Sequence, residues 1–222
     1  MDWETLSHNR KLKTENGKPK TENLNAVPAL LIATRNKNKT REITQMLGAL
    51  WTVRDLSAPP NTPEIEETGT TFQENAALKA LAISKLTKDL VLADDSGLEV
   101  DALNGAPGVY SARYAGKNAT DAENRQLLIH NLAALSVSES PGRFRCSMAV
   151  ARKGELLGVF DGTVEGKVIL EERGLNGFGY DPIFVPEGLD ETFGELPSAT
   201  KDNMSHRGKA LRKVVEFLRP KL

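Results

Sequence analysis

From Ala29 onward, apolar and polar positions recur with periods that predict an ordered series of strands and helices. ALLIAT, residues 29–34, is an apolar run of strand length, and the polar segment TRNKNK follows it at once. Ile43, Met46, Leu47 and Leu50 then recur at i, i+3, i+4 and i+7, one face of a helix. Residues 51–56 (WTVRDL) read as a second strand. A Pro-rich loop, APPNTPEIEETG, carries Glu64, Glu66 and Glu67. Thr71 with Glu74 is a capping-box signature for a helix through about Leu86. Its apolar stripe is Phe72, Ala76, Ala80 and Ile83, with Asn75 and Lys79 one turn apart on another face.

LVLADDSG reads as an apolar strand that ends in two aspartates and a glycine turn. LEVDAL and the loop NGAPGVYSARYAG come next. Thr120 with Glu123 caps a helix running to about Leu135. RFRCSMAVAR and ELLGVFDGTVEG form a hairpin around Lys153–Gly154, and KVIL reads as a further strand. The Gly-rich loop GLNGFGYDP leads to the short run IFV. A last helix places Leu211, Val214, Val215 and Leu218 on one face. This mixture of strands, hairpins and helices predicts one α/β domain over residues 29–222, with a mixed central sheet flanked by helices.

Residues 1–28 break the pattern, mixing Lys, Glu, Asn and Thr without periodicity, and read as a polar, mobile extension ending at Pro28. They lack the apolar core of a signal peptide, and their acidic residues count against a transit peptide. No apolar run approaches the ~20 residues of a membrane helix. With 222 residues and a net charge of −1, the chain has no general field for nucleic acid or anionic lipid, so any polyanion site must be local. Cys146 is the only cysteine, which fits a reducing cytoplasm, and its apolar surroundings suit a buried structural thiol better than a nucleophile.

Three segments carry candidate chemistry. TRNKNK opens a helix, whose free N–H groups and partial positive charge suit anions, and Lys39 adds a full charge. It lacks P-loop spacing, and a solvated basic helix start is the competing reading. The acids Glu64, Glu66 and Glu67, with Asp94 and Asp95, suit magnesium, which takes one or two carboxylates plus water and phosphate. Successive strand residues point to opposite faces, so Asp94 and Asp95 are expected to do different jobs. A turn-forming DDSG is the alternative. SATKDNMSHRG places Lys201, His206 and Arg207 before the last helix, where the helix dipole disfavours cations unless an anion lies near. Lys39, Lys79, Lys201 and Arg207 together are expected to offset a triphosphate.

In order, IATRNKNKTREI, EETGTTFQENAALKA, LADDSGLEVDALNGAPGVYSARYAG, GFGYDPIF and SHRGKAL resemble the inosine triphosphate pyrophosphatase family. The resemblance covers Leu30 to the C-terminus. It implies an elongated, two-lobed α/β fold, a homodimer, and Mg2+-dependent hydrolysis of non-standard purine nucleoside triphosphates between the α and β phosphorus atoms. It implies that Thr34, Asn36, Lys39 and Lys79 hold the triphosphate, with Arg35, Lys37 and Asn38 in the same segment. Glu66 or Glu67 would bind metal with Asp95, which is also the proton acceptor for the attacking water. Ser96 would touch substrate; Phe178, Gly179, Tyr180 and Asp181 would form the nucleoside pocket, with Lys201, His206 and Arg207 closing over it. Asn38 stands where many members have glycine, and a left-handed turn there is tolerated by Asn. Arg35 stands where a small residue is common, and a phosphate contact and a solvent position are both open for it. The rivals are a related pyrophosphatase for other modified nucleotides and a catalytically silent nucleotide-binding protein.

Overall fold

The computed structural model describes residues 29–57 and 63–219; the expected extension over 1–28 lies outside them. Six strands form one mixed sheet: β1 (Ala29–Ile32), β2 (Thr52–Asp55), β3 (Leu90–Val100), β4 (Glu139–Arg152), β5 (Glu155–Ile169) and β6 (Phe184–Pro186). Their order is β2-β1-β3-β4-β5-β6. β2, β1 and β3 run parallel, and β3 to β6 pair antiparallel. Among the described residues the helices are α1 (Lys37–Leu47), α2 (Phe72–Ser84), α3 (Asp121–Ala134), α4 (Ser198–Met204) and α5 (His206–Leu218).

Both expected capping boxes close, with Glu74 and Glu123 reaching back to the residues that cap them. The Lys153–Gly154 hairpin turns through two positive φ angles, 53° and 81°. Three expectations are corrected. β3 does not end at DDSG but continues to Val100, because β4 pairs with it from Ala151 through Gly142. KVIL is not a separate strand; β5 runs through Gly162 and Gly166. Leu50 falls beyond α1, in the 3-10 turn Gly48–Leu50.

Alternation along β3 sorts the core. Leu92, Asp94, Ser96, Leu98 and Val100 share one face. Leu92 belongs to an apolar cluster with Ile43 and Leu47 of α1 and Leu211 and Val214 of α5. Leu98 and Val100 belong to a second cluster with Leu128 and Leu132 of α3, Phe184 and Phe193. Asp94 and Ser96 therefore interrupt a single apolar face between α1/α5 and α3. On the opposite face Val91 and Ala93 pack against Ala76, Ala80 and Ile83 of α2. The functional cleft opens where the polar interruption lies.

Candidate active site

The phosphate-side segment starts α1. Asn36 caps the helix, its Oδ1 accepting from the backbone N–H of Asn38 at 2.9 Å and of Lys39 at 3.2 Å. Two amides that looked available to an anion are thus already capped. The Thr34 hydroxyl oxygen accepts from Asn36 N–H at 3.1 Å. Asn38 sits inside the first turn with no positive φ, so no left-handed residue is needed there. Lys39 turns inward and pairs with Asp94. Asn36 and Lys39 line the cleft, whereas Thr34, Arg35, Lys37 and Asn38 do not.

Asp94 and Asp95 diverge to opposite faces, as their adjacency requires. The Asp95 Oδ1 accepts from Lys79 Nζ at 2.8 Å, and the same ammonium donates to Glu67 Oε1 at 2.7 Å and to the Asp94 carbonyl at 2.9 Å. Arg113 donates to the second Glu67 oxygen at 2.8 Å. Burial alone would raise the Glu67 carboxyl, but the Lys79 charge and the bonds from Lys79 and Arg113 hold it down at about 2. Burial wins at Asp95, whose carboxyl is raised despite Lys79. Its Oδ2 is buried with no partner. Glu66 is exposed and off the cleft, and Glu64 is exposed too.

Asp94 belongs to a buried chain of ions. Arg207 donates from Nε to Asp94 at 2.9 Å, from Nη1 to Glu42 at 2.7 Å and from Nη2 to the Ser96 hydroxyl at 2.8 Å. Lys201 bridges Glu42, at 2.8 Å, and Asp181. Burial would raise Asp94, yet Arg207 and Lys39 hold its carboxyl well below the usual range. Lys201 lies in α4 rather than at the start of the last helix. The anions that offset Lys201 and Arg207 are therefore the protein's own carboxylates. The Phe178 ring lies 5.1 Å from Lys201 Nζ and 5.5 Å from Arg207 Cζ. His206 stacks on Phe144 at 4.7 Å, and burial with the neighbouring cations keeps its imidazole neutral.

Asn36, Lys39, Glu67, Asp95, Arg113, Lys201, His206 and Arg207 line one cleft with Ser96, Phe178, Gly179, Tyr180 and Asp181. The model of the Ham1 family matches residues 30–217. The chain belongs to the Ham1 family. A relative from Bacillus licheniformis, named dITP/XTP pyrophosphatase, is 47% identical over 190 residues, 85% of this chain and 97% of that protein. A protein of the same name from Streptococcus thermophilus is 49% identical over 189 residues; these span 84% of this chain and 58% of that longer relative. A solved HAM1 protein from Coxiella burnetii superposes with a TM-score of 0.78 at 41% identity, covering 87% of this chain and 99% of that one.

In this Ham1 protein the site cations are internally balanced. Lys39, Lys79, Arg113, Lys201 and Arg207 face Glu42, Glu67, Asp94, Asp95 and Asp181, each within an ion pair. Lys39, Lys79, Lys201 and Arg207, the cations expected to offset a triphosphate, are thus each also paired with a carboxylate of the protein. A triphosphate carries about four negative charges, of which one divalent ion offsets two. Glu67 and Asp95 fit a hard divalent ion, since both are oxygen donors at the cleft wall and the buried Asp95 Oδ2 lacks any partner. Glu42 and Arg113 escaped the sequence reading. Glu42 follows three residues after Lys39 on a helix otherwise read as amphipathic, and only its distant partners on α4 and α5 reveal its burial.

Proposed function

We propose that this Ham1 protein is a pyrophosphatase that cuts non-standard purine nucleoside triphosphates (dITP, ITP and XTP) into monophosphate and pyrophosphate, with Mg2+ as cofactor. The observation that carries the reading is the Asp95 carboxylate, with one oxygen on Lys79 and the other unpartnered, in a cleft whose far end is Phe178, Lys201 and Arg207. The names of the relatives from Bacillus licheniformis and Streptococcus thermophilus support the same substrate class. The triphosphate lies along Asn36, Lys39 and Lys79, and the base lies toward Phe178. Asp95 takes a proton from water as the water oxygen bonds to the α-phosphorus; the bond to the bridging α–β oxygen breaks and pyrophosphate leaves. Glu67 and Asp95 would hold the Mg2+, which when bound would supply charge neutralisation and a lowered water pKa. Lys39 and Lys79 hold the leaving group.

Base selection follows from donors. Each Arg207 Nη keeps a second N–H, and Lys201 keeps one beyond its two carboxylates. A 6-oxo purine accepts from such groups. Adenine presents an amino group instead and leaves them unpaired, at about 1–3 kcal/mol each. The enzyme acts as a cytoplasmic homodimer with no nucleic-acid partner; the net charge of −1 supports the last point, and no helix among the described residues is long and apolar enough to cross a membrane.

Pyrophosphate release from dITP, ITP, XTP, dATP and dGTP, with Mg2+ and with EDTA, tests the proposal. Metal-dependent pyrophosphate from the first three, lost by a factor of about 10²–10⁴ in Asp95→Asn, is the expected result. Release of single phosphate, or equal rates on dATP, would overturn it.

A further inference from the structure

The peptide of Gly179 is gripped from outside its own loop. Its N–H donates to Oδ2 of Asp121 at 2.8 Å, and its carbonyl accepts from Nη1 of Arg125 at 2.8 Å. Asp121 opens α3, and Arg125 stands one turn further on. Arg125 also pairs with Glu172, at the root of the same loop, at 2.9 Å. α3 is itself anchored. Asn124 accepts from the Ala115 N–H at 2.8 Å and donates to the Ala112 carbonyl at 3.3 Å.

The loop needs such a grip. Gly177 and Gly179 flank Phe178 with φ of 75° and 59°, in the left-handed region. Apart from its own chain neighbours, no residue has a heavy atom within 4 Å of where a Gly179 Cβ would stand, so packing by the rest of the fold does not fix the peptide. Within the loop, Phe178 N–H donates to Asp181 at 2.7 Å, and the Tyr180 hydroxyl donates to the Ser111 carbonyl at 2.8 Å. These bonds hold the two neighbours of Gly179. The α3 pair holds Gly179 itself.

We propose that Asp121 and Arg125 are positioning residues for the nucleoside end of the cleft. By holding both polar groups of the Gly179 peptide they set the pose of Phe178, and so the affinity for the base, without acting on the phosphate end. The inference rests on the reading of the cleft given under Proposed function. Its specificity comes from the bonding pattern. Among the described residues, the hydrogen bonds and ion pairs of Asp121 and Arg125 go to the Gly179 peptide and Glu172, not to Lys39, Lys79, Asp94 or Asp95.

An acid in a first helical turn is favourable through the helix dipole alone, so the variants must separate charge from geometry. Asp121→Asn keeps an acceptor and drops the charge; Asp121→Glu keeps the charge and moves the oxygen. Tripolyphosphate, which has no base, probes the phosphate end as a competitive inhibitor. Asp121→Ala, Asp121→Glu and Arg125→Ala should raise KM for dITP about tenfold, the scale of one lost hydrogen bond. Their kcat and their inhibition constant for tripolyphosphate should stay within about twofold of the parent, and Asp121→Asn should match it. Parallel weakening of tripolyphosphate, an unchanged KM, or Asp121→Asn as poor as Asp121→Ala would overturn the proposal. If Arg125→Ala does not fold, the Asp121 variants, on an exposed side chain, carry the test. A parent enzyme that releases no pyrophosphate from dITP would refute the proposed function instead. Calorimetric binding of dITP against tripolyphosphate would then read the same split.

Discussion

A carboxylate that accepts from both Lys39 and Arg207 matters more to the fold than one that shares a single lysine with a second acid. Asp94 is the first kind and Asp95 the second. Their linkage to pH has opposite sign. Asp94 is held well below its ordinary value, so its stabilisation is complete above about pH 4 and is lost as pH falls toward the folded value. Asp95 is raised, so the metal-free fold loses stability as pH rises through its folded value. Urea denaturation at pH 7 in EDTA should therefore find Asp94→Asn weaker than the parent by about 3–5 kcal/mol, because two buried cations lose their partner. Asp95→Asn should be at least as stable as the parent under the same conditions. A less stable Asp95→Asn would mean that its bond to Lys79 outweighs the cost of burying its charge. The ion chain that supports the fold and the carboxylate proposed for catalysis thus fall on consecutive residues, a division expected from strand alternation; the resemblance implied the part of Asp95, whereas the buried partners of Asp94 were not legible in the sequence.

At the scale of elements, the helices were legible because their periodicity and caps are local. The strands were legible in place but not in extent, because their ends are set by partners far away in sequence. DDSG looks like a turn until β4 pairs with it along its whole length, and α1, α2 and α5 supply cations for its acids. Gly162 lies inside β5, within the run read as a strand, but nothing in the sequence accounts for a glycine there. A Cβ there would collide with the His206 carbonyl oxygen and the Ala210 nitrogen of α5. The missing side chain lets the helix that bears Arg207 lie directly on the strand. Gly162→Ala should push α5 away, destabilising the protein by about 1–3 kcal/mol and raising KM for nucleotide. Denaturation and steady-state kinetics on one preparation check both effects. A KM unchanged in a folded variant would show that α5 relaxes without moving its first turn.

Over the whole molecule, the five blocks of the sequence reading converge around β3: Lys39 and Arg207 meet Asp94 on the face where ions separate two apolar clusters, and Lys79 meets Asp95 and Glu67 on the other. That convergence was legible as a site; the pairing of its cations was not, since the pattern marks Lys39, Lys201 and Arg207 but leaves Glu42 unremarked. The pairing has a consequence for encounter kinetics. A cleft whose buried charges cancel sends little field into solution, and a chain of net charge −1 adds almost none. Stopped-flow association of the Mg2+-nucleotide should vary by less than about twofold between low salt and physiological ionic strength, where steered ligands slow steeply. A steep salt dependence would mean that exposed groups such as Lys37 guide the approach. With little steering, right and wrong nucleotides arrive equally often, and the enzyme sorts them by how long each one stays.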